Sequence, residues 1–307
     1  MKVYKTWAKD RDFTLYEGDC KKLIARLPDE SVDLVLTSPP YCIGKKYEDK
    51  TEADDFEKDH QLILPEIVRV TKPGGSICWQ VGYHIKNGVI KPLDFIIYQI
   101  LSQYKDIHLR NRIIWTFGHG LHGVDRFSGR HETLLWFTKG ATKNFNLDDI
   151  RTAQKYPGKK HYKGDKKGEF SGNPLGKNPS DVWEIPNVKA NHVEKTEHPC
   201  QFPVALAERV IKAFTNPGDL VLDPYVGSGS TAAAAALNKR KFVGSELDSK
   251  YYSIAKKRVL AALDGILTYR KDDKPIYQPP ANTPLTTVPS KWRNHPSYEK
   301  QIPVHSS

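Results

Sequence analysis

The stretch that most constrains this chain is Val221-Leu222-Asp223-Pro224-Tyr225-Val226-Gly227-Ser228-Gly229-Ser230-Thr231, followed by an alanine run at 232–236. The apolar start predicts a short buried strand, Pro224 and the two glycines a tight turn, and the alanines a helix. Glycine has no Cβ, so the backbone there can approach a ligand, and the following helix presents free N–H groups to it. About twenty residues on, Lys241-Phe242-Val243-Gly244-Ser245 predicts the next strand and ends on Glu246, an acid placed to accept both protons of a ribose diol. The spacing fits a nucleoside-containing ligand. Of a dinucleotide fingerprint only Gly227 and Gly229 are present, with Ala232 in place of the last glycine, and no lysine follows the turn as a P-loop requires.

The other informative stretch lies near the N-terminus. Residues 13–16 predict a strand and 20–27 a helix with Asp19 as N-cap, while 32–36 predict a second strand. A strand–helix–strand unit of this length implies parallel strands with a right-handed crossover. The second strand runs straight into Thr37-Ser38-Pro39-Pro40-Tyr41. Two prolines fix the backbone and supply no N–H, which leaves carbonyls that a sheet cannot pair. Ser38 and the Pro39 carbonyl offer two acceptors beside the flat face of Tyr41. That set suits an exocyclic amine on a planar base; a proline-stiffened connection with a core tyrosine is the plainer alternative.

Between and beyond these stretches, 44–59 reads as a charged loop, 62–70 as a helix, 76–81 as a strand and 92–104 as a helix. Residues 109–115 and 132–137 read as a strand pair. His119, His122 and His131 lack the spacing of a metal site and are expected in a loop facing solvent or DNA. From 141 to 196 apolar periodicity disappears. There Lys159, Lys160, Tyr162, Lys163, Lys166 and Lys167 interleave charge with an aromatic ring, a composition suited to phosphates and bases. Helices are expected over 198–214 and 247–263, the latter with a basic outer face that includes Arg258. Past about 272 the tail is proline-rich, basic and expected to be irregular.

The 307 residues suffice for one large core, and a net charge of +11 favours a polyanionic partner. Cys20, Cys42, Cys78 and Cys200 form no close pair, which speaks against zinc and disulfide frameworks and for a reducing compartment. With no apolar run of membrane length and no secretory pattern, the chain is expected to be soluble and cytoplasmic.

Taken together, Thr37-Ser38-Pro39-Pro40-Tyr41 and Leu222 through Thr231 resemble the S-adenosylmethionine-dependent amino-methyltransferases of DNA. The order, target-base motif before cofactor motif, is similar to their beta group, and the likeness covers most of 13–262. The resemblance implies an α/β fold: a circularly permuted Rossmann-like methyltransferase sheet with helices on both faces and a loop-rich DNA-recognition insertion. It divides the chain into a catalytic half (1–140), a target-recognition region (141–196), a cofactor-binding half (197–265) and a basic tail (266–307).

The resemblance also assigns residues. Ser38, Pro39, Pro40 and Tyr41 would hold the target base. Asp223, Pro224, Tyr225, Gly227, Ser228, Gly229, Ser230 and Thr231 would surround S-adenosylmethionine, with Glu246 and Leu247 at its ribose and Asp19 near its adenine. Tyr225-Val226 departs from the more usual Phe-Ala. No metal is implied. The partner would be double-stranded DNA, with a companion restriction endonuclease and a homodimer as further expectations. Ser38 at the first motif position goes more often with cytosine N4 than with adenine N6, so cytosine N4 is the expected target and adenine N6 the alternative. Pro199-Cys200-Gln201 spells the nucleophile of the cytosine-C5 enzymes, but it precedes the cofactor strand and lacks their accompanying Glu-Asn-Val. A catalytically inactive DNA-binding protein of this fold and a nicotinamide-dependent oxidoreductase are the alternatives from other classes.

Overall fold

The structure, a computed structural model, describes residues 2–41, 53–118 and 122–272, with isolated positions between 274 and 289. Cys42, His119 and most of the 44–59 stretch therefore lie outside the described residues. The chain opens with β1 (Phe13–Glu17), α1 (Cys20–Ile24) and β2 (Val32–Thr37). Next come α2 (Ala53–Val70), β3 (Thr71–Val81), the hairpin β4 (Tyr83–Lys86) and β5 (Val89–Pro92), and α3 (Leu93–Leu101). The antiparallel pair β6 (Ile107–Thr116) and β7 (His131–Lys139) follows, then a 3-10 turn at Leu147–Ile150 and β8 (Val182–Glu184). The last part runs α4 (Val204–Phe214), β9 (Leu220–Asp223), α5 (Ser230–Leu237), β10 (Lys241–Glu246) and α6 (Ser249–Leu263).

Eight of these strands form one sheet in the order β1-β10-β9-β2-β3-β7-β6-β8, and only β7 runs against the rest. The parallel sense expected of β1 and β2 is found, but β10 and β9 lie between them. Side chains on a strand alternate between the two faces, and both faces here are covered. Leu34 and Leu36 of β2 pack into a core with α4, α5 and α6; Val35 points into a second core with α1, α2 and α3. Helices therefore lie on both faces, as the resemblance implied.

At the end of the sheet where these strands begin, Asp33 links three of them. Its carboxylate accepts two bonds from Lys72 Nζ (2.8 and 2.7 Å) and one from the Leu220 N–H (2.9 Å). A buried carboxylate is stable only with such partners, and these partners set β2 between β3 and β9.

Three local expectations need correction. The helix expected at 62–70 begins at Ala53, so residues 53–59 are not loop. Phe56, His60, Ile63, Leu64 and Ile67 are buried along it. His60 hid the period because it counts as polar by sequence. Here its Nδ1 donates to the Phe56 carbonyl at 2.7 Å, and burial lowers its pKa to about 4, which keeps it neutral. The hairpin β4–β5 was not expected at all. Arg258, placed by sequence on an outer basic face, is buried.

The insertion 141–196 is anchored at several points. β8 pairs with β6, and the Asn146 side chain donates to the Lys212 and Thr215 carbonyls (3.1 and 2.9 Å). Trp115 Nε1 donates to the Ile185 carbonyl at 2.7 Å. Between those anchors the bridges Thr152–Lys177 and Lys160–Phe170, with local bonds such as Arg151 Nη1 to the Gly176 carbonyl (3.1 Å), organise it. By chain contacts Met1–Asp272 is one compact unit and Asp273–Ser307 another. No helix among the described residues is long and apolar enough to cross a membrane.

Because Asp33 lies far from the strand tips, Asp33→Ala should cost stability and little else. Orphaning the Leu220 N–H and the Lys72 ammonium is expected to cost about 2 kcal/mol in urea unfolding, while the folded variant keeps the ligand affinity of the parent.

Candidate active site

The strand tips of β2 and β9 carry the two informative stretches, and a hydrogen bond joins them. The strands pair in parallel, Leu34 against Val221 and Val35 against Leu222. Thr37 Oγ1 at the end of one donates to Asp223 Oδ1 at the end of the other, 2.6 Å across a sequence separation of 186 residues. Asp223 Oδ1 also accepts from the Tyr225 N–H at 3.1 Å, and Oδ2 is buried with no hydrogen-bond partner. Burial pushes this carboxyl up to about 6, against the pull of the Thr37 hydroxyl.

After Asp223 the chain turns back over β10. The Val226 N–H donates to the Ser245 carbonyl (2.9 Å), and Ser245 Oγ donates to the Pro224 carbonyl (2.7 Å). Gly244 permits the overlap, since a Cβ there would lie 2.6 Å from the Val226 side chain and 2.7 Å from the Asp223 carbonyl. Gly227 and Gly229 both take left-handed φ values, +54° and +82°, a region costly for other residues. At Gly229 a Cβ would also meet Ala255 of α6 at 3.0 Å. Glycine is thus required there twice, by φ and by the contact between helices.

Glu246 fastens this turn from the next strand. Its Oε2 accepts from the Gly227 N–H (2.7 Å) and its Oε1 from the Asp248 N–H (2.9 Å), while burial raises its pKa to about 7. Asp19 stands at the tip of β1, caps α1 by accepting from the Lys21 N–H (2.8 Å), and follows Gly18, whose N–H bonds the Glu246 carbonyl. Three strand tips, β1, β10 and β9, therefore converge.

Ser38, Pro39, Pro40 and Tyr41 line the same cavity of about 620 Å³ as Asp19, Pro224, Tyr225, Gly227, Ser228, Ser230, Glu246 and Leu247. That volume falls within the roughly 300–1,000 Å³ of small-molecule sites. Of the residues picked from sequence, Asp223 and Gly229 lie behind the lining. So does Thr231, whose hydroxyl is 3.4 Å from the Leu36 carbonyl. The lysines at 159, 160, 163, 166 and 167 and Tyr162 are exposed and do not line the cavity.

Several lining or supporting residues escaped the sequence reading. Gln80, at the end of β3, donates from Nε2 to Tyr41 Oη at 2.9 Å and also to Glu132 Oε2. Burial and the Glu132 charge hold the Tyr41 phenol well above its usual pKa, so it stays protonated. Trp115, Phe117, His198 and Tyr251 also line the cavity, as does Cys200, which the sequence marks only as a nucleophile signature to be set aside. The one sequence sign for Gln80 was an amide at the end of an apolar strand. Arg258 supports the glycine turn from behind: its Nη1 donates to the Ser228 carbonyl (2.7 Å), Ser228 Oγ (3.1 Å) and Ser230 Oγ (3.2 Å). Its Nη2 pairs with buried Glu194 at 3.3 Å, and Glu194 in turn accepts from the Val204 N–H at the start of α4 (2.9 Å). No sequence spacing predicts that pair. Among the described residues no His, Cys, Asp and Glu cluster could hold a metal ion.

The residues present fit an S-adenosyl nucleoside. Asp223 offers a buried oxygen without a partner, Glu246 offers a carboxylate at a strand tip, and at Gly227 a Cβ would reach into the space beside His198 at 3.2 Å. Aromatic walls from Tyr41, Trp115, Phe117 and Tyr225 suit flat rings.

A family profile described as DNA methylase matches residues 32–257. The chain is 49% identical over 245 residues to the Type II methyltransferase M.BglII of Bacillus subtilis, covering 78% of this chain and 67% of that one. It is 32% identical over 251 residues to the DNA adenine methyltransferase YhdJ of Escherichia coli, covering 80% and 82%. Among solved structures, PvuII DNA methyltransferase (cytosine-N4-specific) superposes with a TM-score of 0.64 at 21% identity, over 84% of this chain and 93% of that one. The Thermus thermophilus protein TTHA0409 complexed with S-adenosyl-L-methionine superposes with a TM-score of 0.57 at 25% identity, over 82% and 96%. With a profile match over most of its length and the target motif ahead of the cofactor motif on adjoining strand tips, the chain belongs to the S-adenosylmethionine-dependent DNA amino-methyltransferases, in their beta group.

Proposed function

We propose that this DNA methyltransferase transfers a methyl group from S-adenosylmethionine to the exocyclic N4 amine of a cytosine rotated out of duplex DNA. The observation that carries this reading is the single cavity shared by Ser38–Tyr41 and the turn that starts at Pro224, directly after Asp223. Asp223 and the Gly227–Ser230 backbone would hold the methionine end of the cofactor, Glu246 the ribose hydroxyls, and Asp19 the adenine side. When bound, the cofactor supplies a methyl group on a positive sulfur, already activated for transfer.

The chain's own residues then have to make a poor nucleophile competent. The amine lone pair is delocalised into the ring. Hydrogen bonds from its two protons to the Ser38 hydroxyl and the Pro39 carbonyl favour a tetrahedral nitrogen with its lone pair free. Tyr41 stacks on the base, and Gln80 fixes the Tyr41 hydroxyl. The aromatic walls exclude water, so positioning and desolvation carry most of the rate. A base within a duplex cannot enter such a cavity, hence the extrusion. After transfer the amine sheds one proton to solvent, and no covalent bond to the enzyme forms. Cys200 lines the cavity, but direct attack by the amine gives it no bond to make.

Ser38 at the first motif position supports cytosine. Relationship to a named adenine methyltransferase supports the second reading, adenine N6; the two amines ask for the same acceptors. Nucleoside mass spectrometry of DNA from an expressing host separates them: N4-methylcytosine is expected, and N6-methyladenine alone would overturn the cytosine assignment. Residues 141–196, with the exposed lysines 159, 160, 163, 166 and 167 and Tyr162, are proposed to read the duplex. A modification role beside a restriction endonuclease is supported by the Type II naming of M.BglII.

Three variants test the roles. Tyr41→Ala should lose the stacking contribution, about 1–3 kcal/mol, in methyl transfer while calorimetric cofactor affinity stays near that of the parent; equal loss of both contradicts the assignment. Glu246 must be ionised to accept from the ribose, and its pKa in the free protein is raised to about 7. Cofactor affinity should therefore rise with pH through that value and fall below it, and Glu246→Gln should flatten this profile. Cys200→Ser is expected to transfer methyl groups at the parental rate.

A further inference from the structure

We infer that the β4–β5 hairpin is a DNA-contacting arm that lies against the duplex beside the extruded base. This inference rests on the methyltransferase reading of the neighbouring cavity. β3 runs parallel to β2, so its end reaches the same edge of the sheet as Ser38. Gln80 at that end holds Tyr41, and the next-but-one residue, Gly82, lies against the Tyr41 ring: a Cβ there would approach Cε2 to 3.2 Å. The hairpin starts at the following residue, Tyr83, and its base is closed by the Leu93 N–H to the Gly82 carbonyl at 3.4 Å. It therefore stands at the rim of the target half of the cavity.

Its form is that of a short rigid ribbon. Four pairs, Tyr83–Pro92, His84–Lys91, Ile85–Ile90 and Lys86–Val89, leave Asn87-Gly88 as a two-residue turn. Both turn residues have positive φ, +51° and +79°, the geometry that follows the strand twist. Four residues per strand carry the tip roughly 13 Å outward.

Its surface is unlike that of an ordinary solvated hairpin. Val89 is 70% exposed, Ile90 48% and Ile85 38%, and Ile85 and Ile90 are a cross-strand pair. Lys86 and Lys91 flank them, and no carboxylate occurs between Tyr83 and Pro92. Exposed aliphatic side chains on a ribbon that carries two lysines and no carboxylate of its own suit a partner that is anionic outside and apolar between its charges. Duplex DNA has that character, and its major groove, about 12 Å wide, admits a two-stranded ribbon. Aliphatic residues that reach base steps also favour local unstacking, which assists extrusion of the neighbouring base. Lys86 and Lys91 would meet phosphates, and Ile85, Val89 and Ile90 the bases next to the vacated position.

Two surface variants test the arm separately from the active site. Binding to an unmethylated plasmid fragment is measured across a salt series, with methyl transfer from labelled S-adenosylmethionine and cofactor affinity followed in parallel. Lys86→Gln with Lys91→Gln should lower the slope of log affinity against log salt by about 1.8, the contribution of two phosphate contacts. Ile85→Thr with Ile90→Thr keeps strand-favouring residues and should reduce transfer about tenfold at saturating cofactor, with cofactor affinity unchanged. An unaltered salt slope and parental transfer in these variants overturn the inference. So does a change in sedimentation of the isoleucine variant without loss of DNA binding, which would make the tip a contact between protein copies. Absence of transfer in the parent protein would instead refute the proposed function, and the salt slope would still decide for or against the arm.

Discussion

The bond from the Thr37 hydroxyl to the Asp223 carboxylate is the contact on which the rest of the site depends. It fixes the tip of β2 against the tip of β9, and with it the target motif against the glycine turn. Both groups are buried, so neither can exchange its partner for water at low cost. The other end of the same strands is held by Asp33, Lys72 and the Leu220 N–H. Between those two polar clamps lie the parallel backbone ladder and aliphatic packing, and the clamps hold its register at both ends. A parallel sheet brings all its carboxyl ends to one edge, and the cavity forms where loops from β1, β2, β9 and β10 meet there.

Burial gives the cavity its electrostatics. Asp223 and Glu246 are carboxyls drawn into a dry wall, and their pKa values rise to about 6 and about 7 for that reason first. Each is kept by a small number of directed donors: a hydroxyl and an N–H for one, two backbone N–H groups for the other. Such acceptors retain capacity for a ligand's donors, whereas a carboxylate fully paired with arginine would not. Tyr41 shows the same economy, since its hydroxyl accepts from Gln80 and donates to Glu132 without consuming the ring face.

The insertion and the glycine turn are also connected. Glu194, at the end of the insertion, takes part in the start of α4 and pairs with Arg258, which holds Ser228 and Ser230. A buried ion pair with this many bonds contributes more to geometry than to net stability. It ties the region proposed to read DNA to the backbone proposed to hold the cofactor.

Local composition by itself determined a good deal of this protein. The strand–turn–helix at 221–236, the acid closing β10 and the rigid Ser38–Tyr41 segment were legible because glycine, proline and apolar period act on neighbours within a few residues. The strand pair β6 and β7 and the helices expected over 198–214 and 247–263 were legible for the same reason, although the first of these helices starts only at Val204, after Pro203. His60, Gln80, Arg258 and Glu194 were not, because each is polar by type and buried only through partners distant in sequence. Nor could the chain alone show that β10 and β9 separate β1 from β2, or that the 83–92 segment pairs with itself as a hairpin at the rim. Strand order depends on which edges find complementary packing and hydrogen bonds, as at Thr37 and Asp223, and those choices exist only once the whole sheet has assembled.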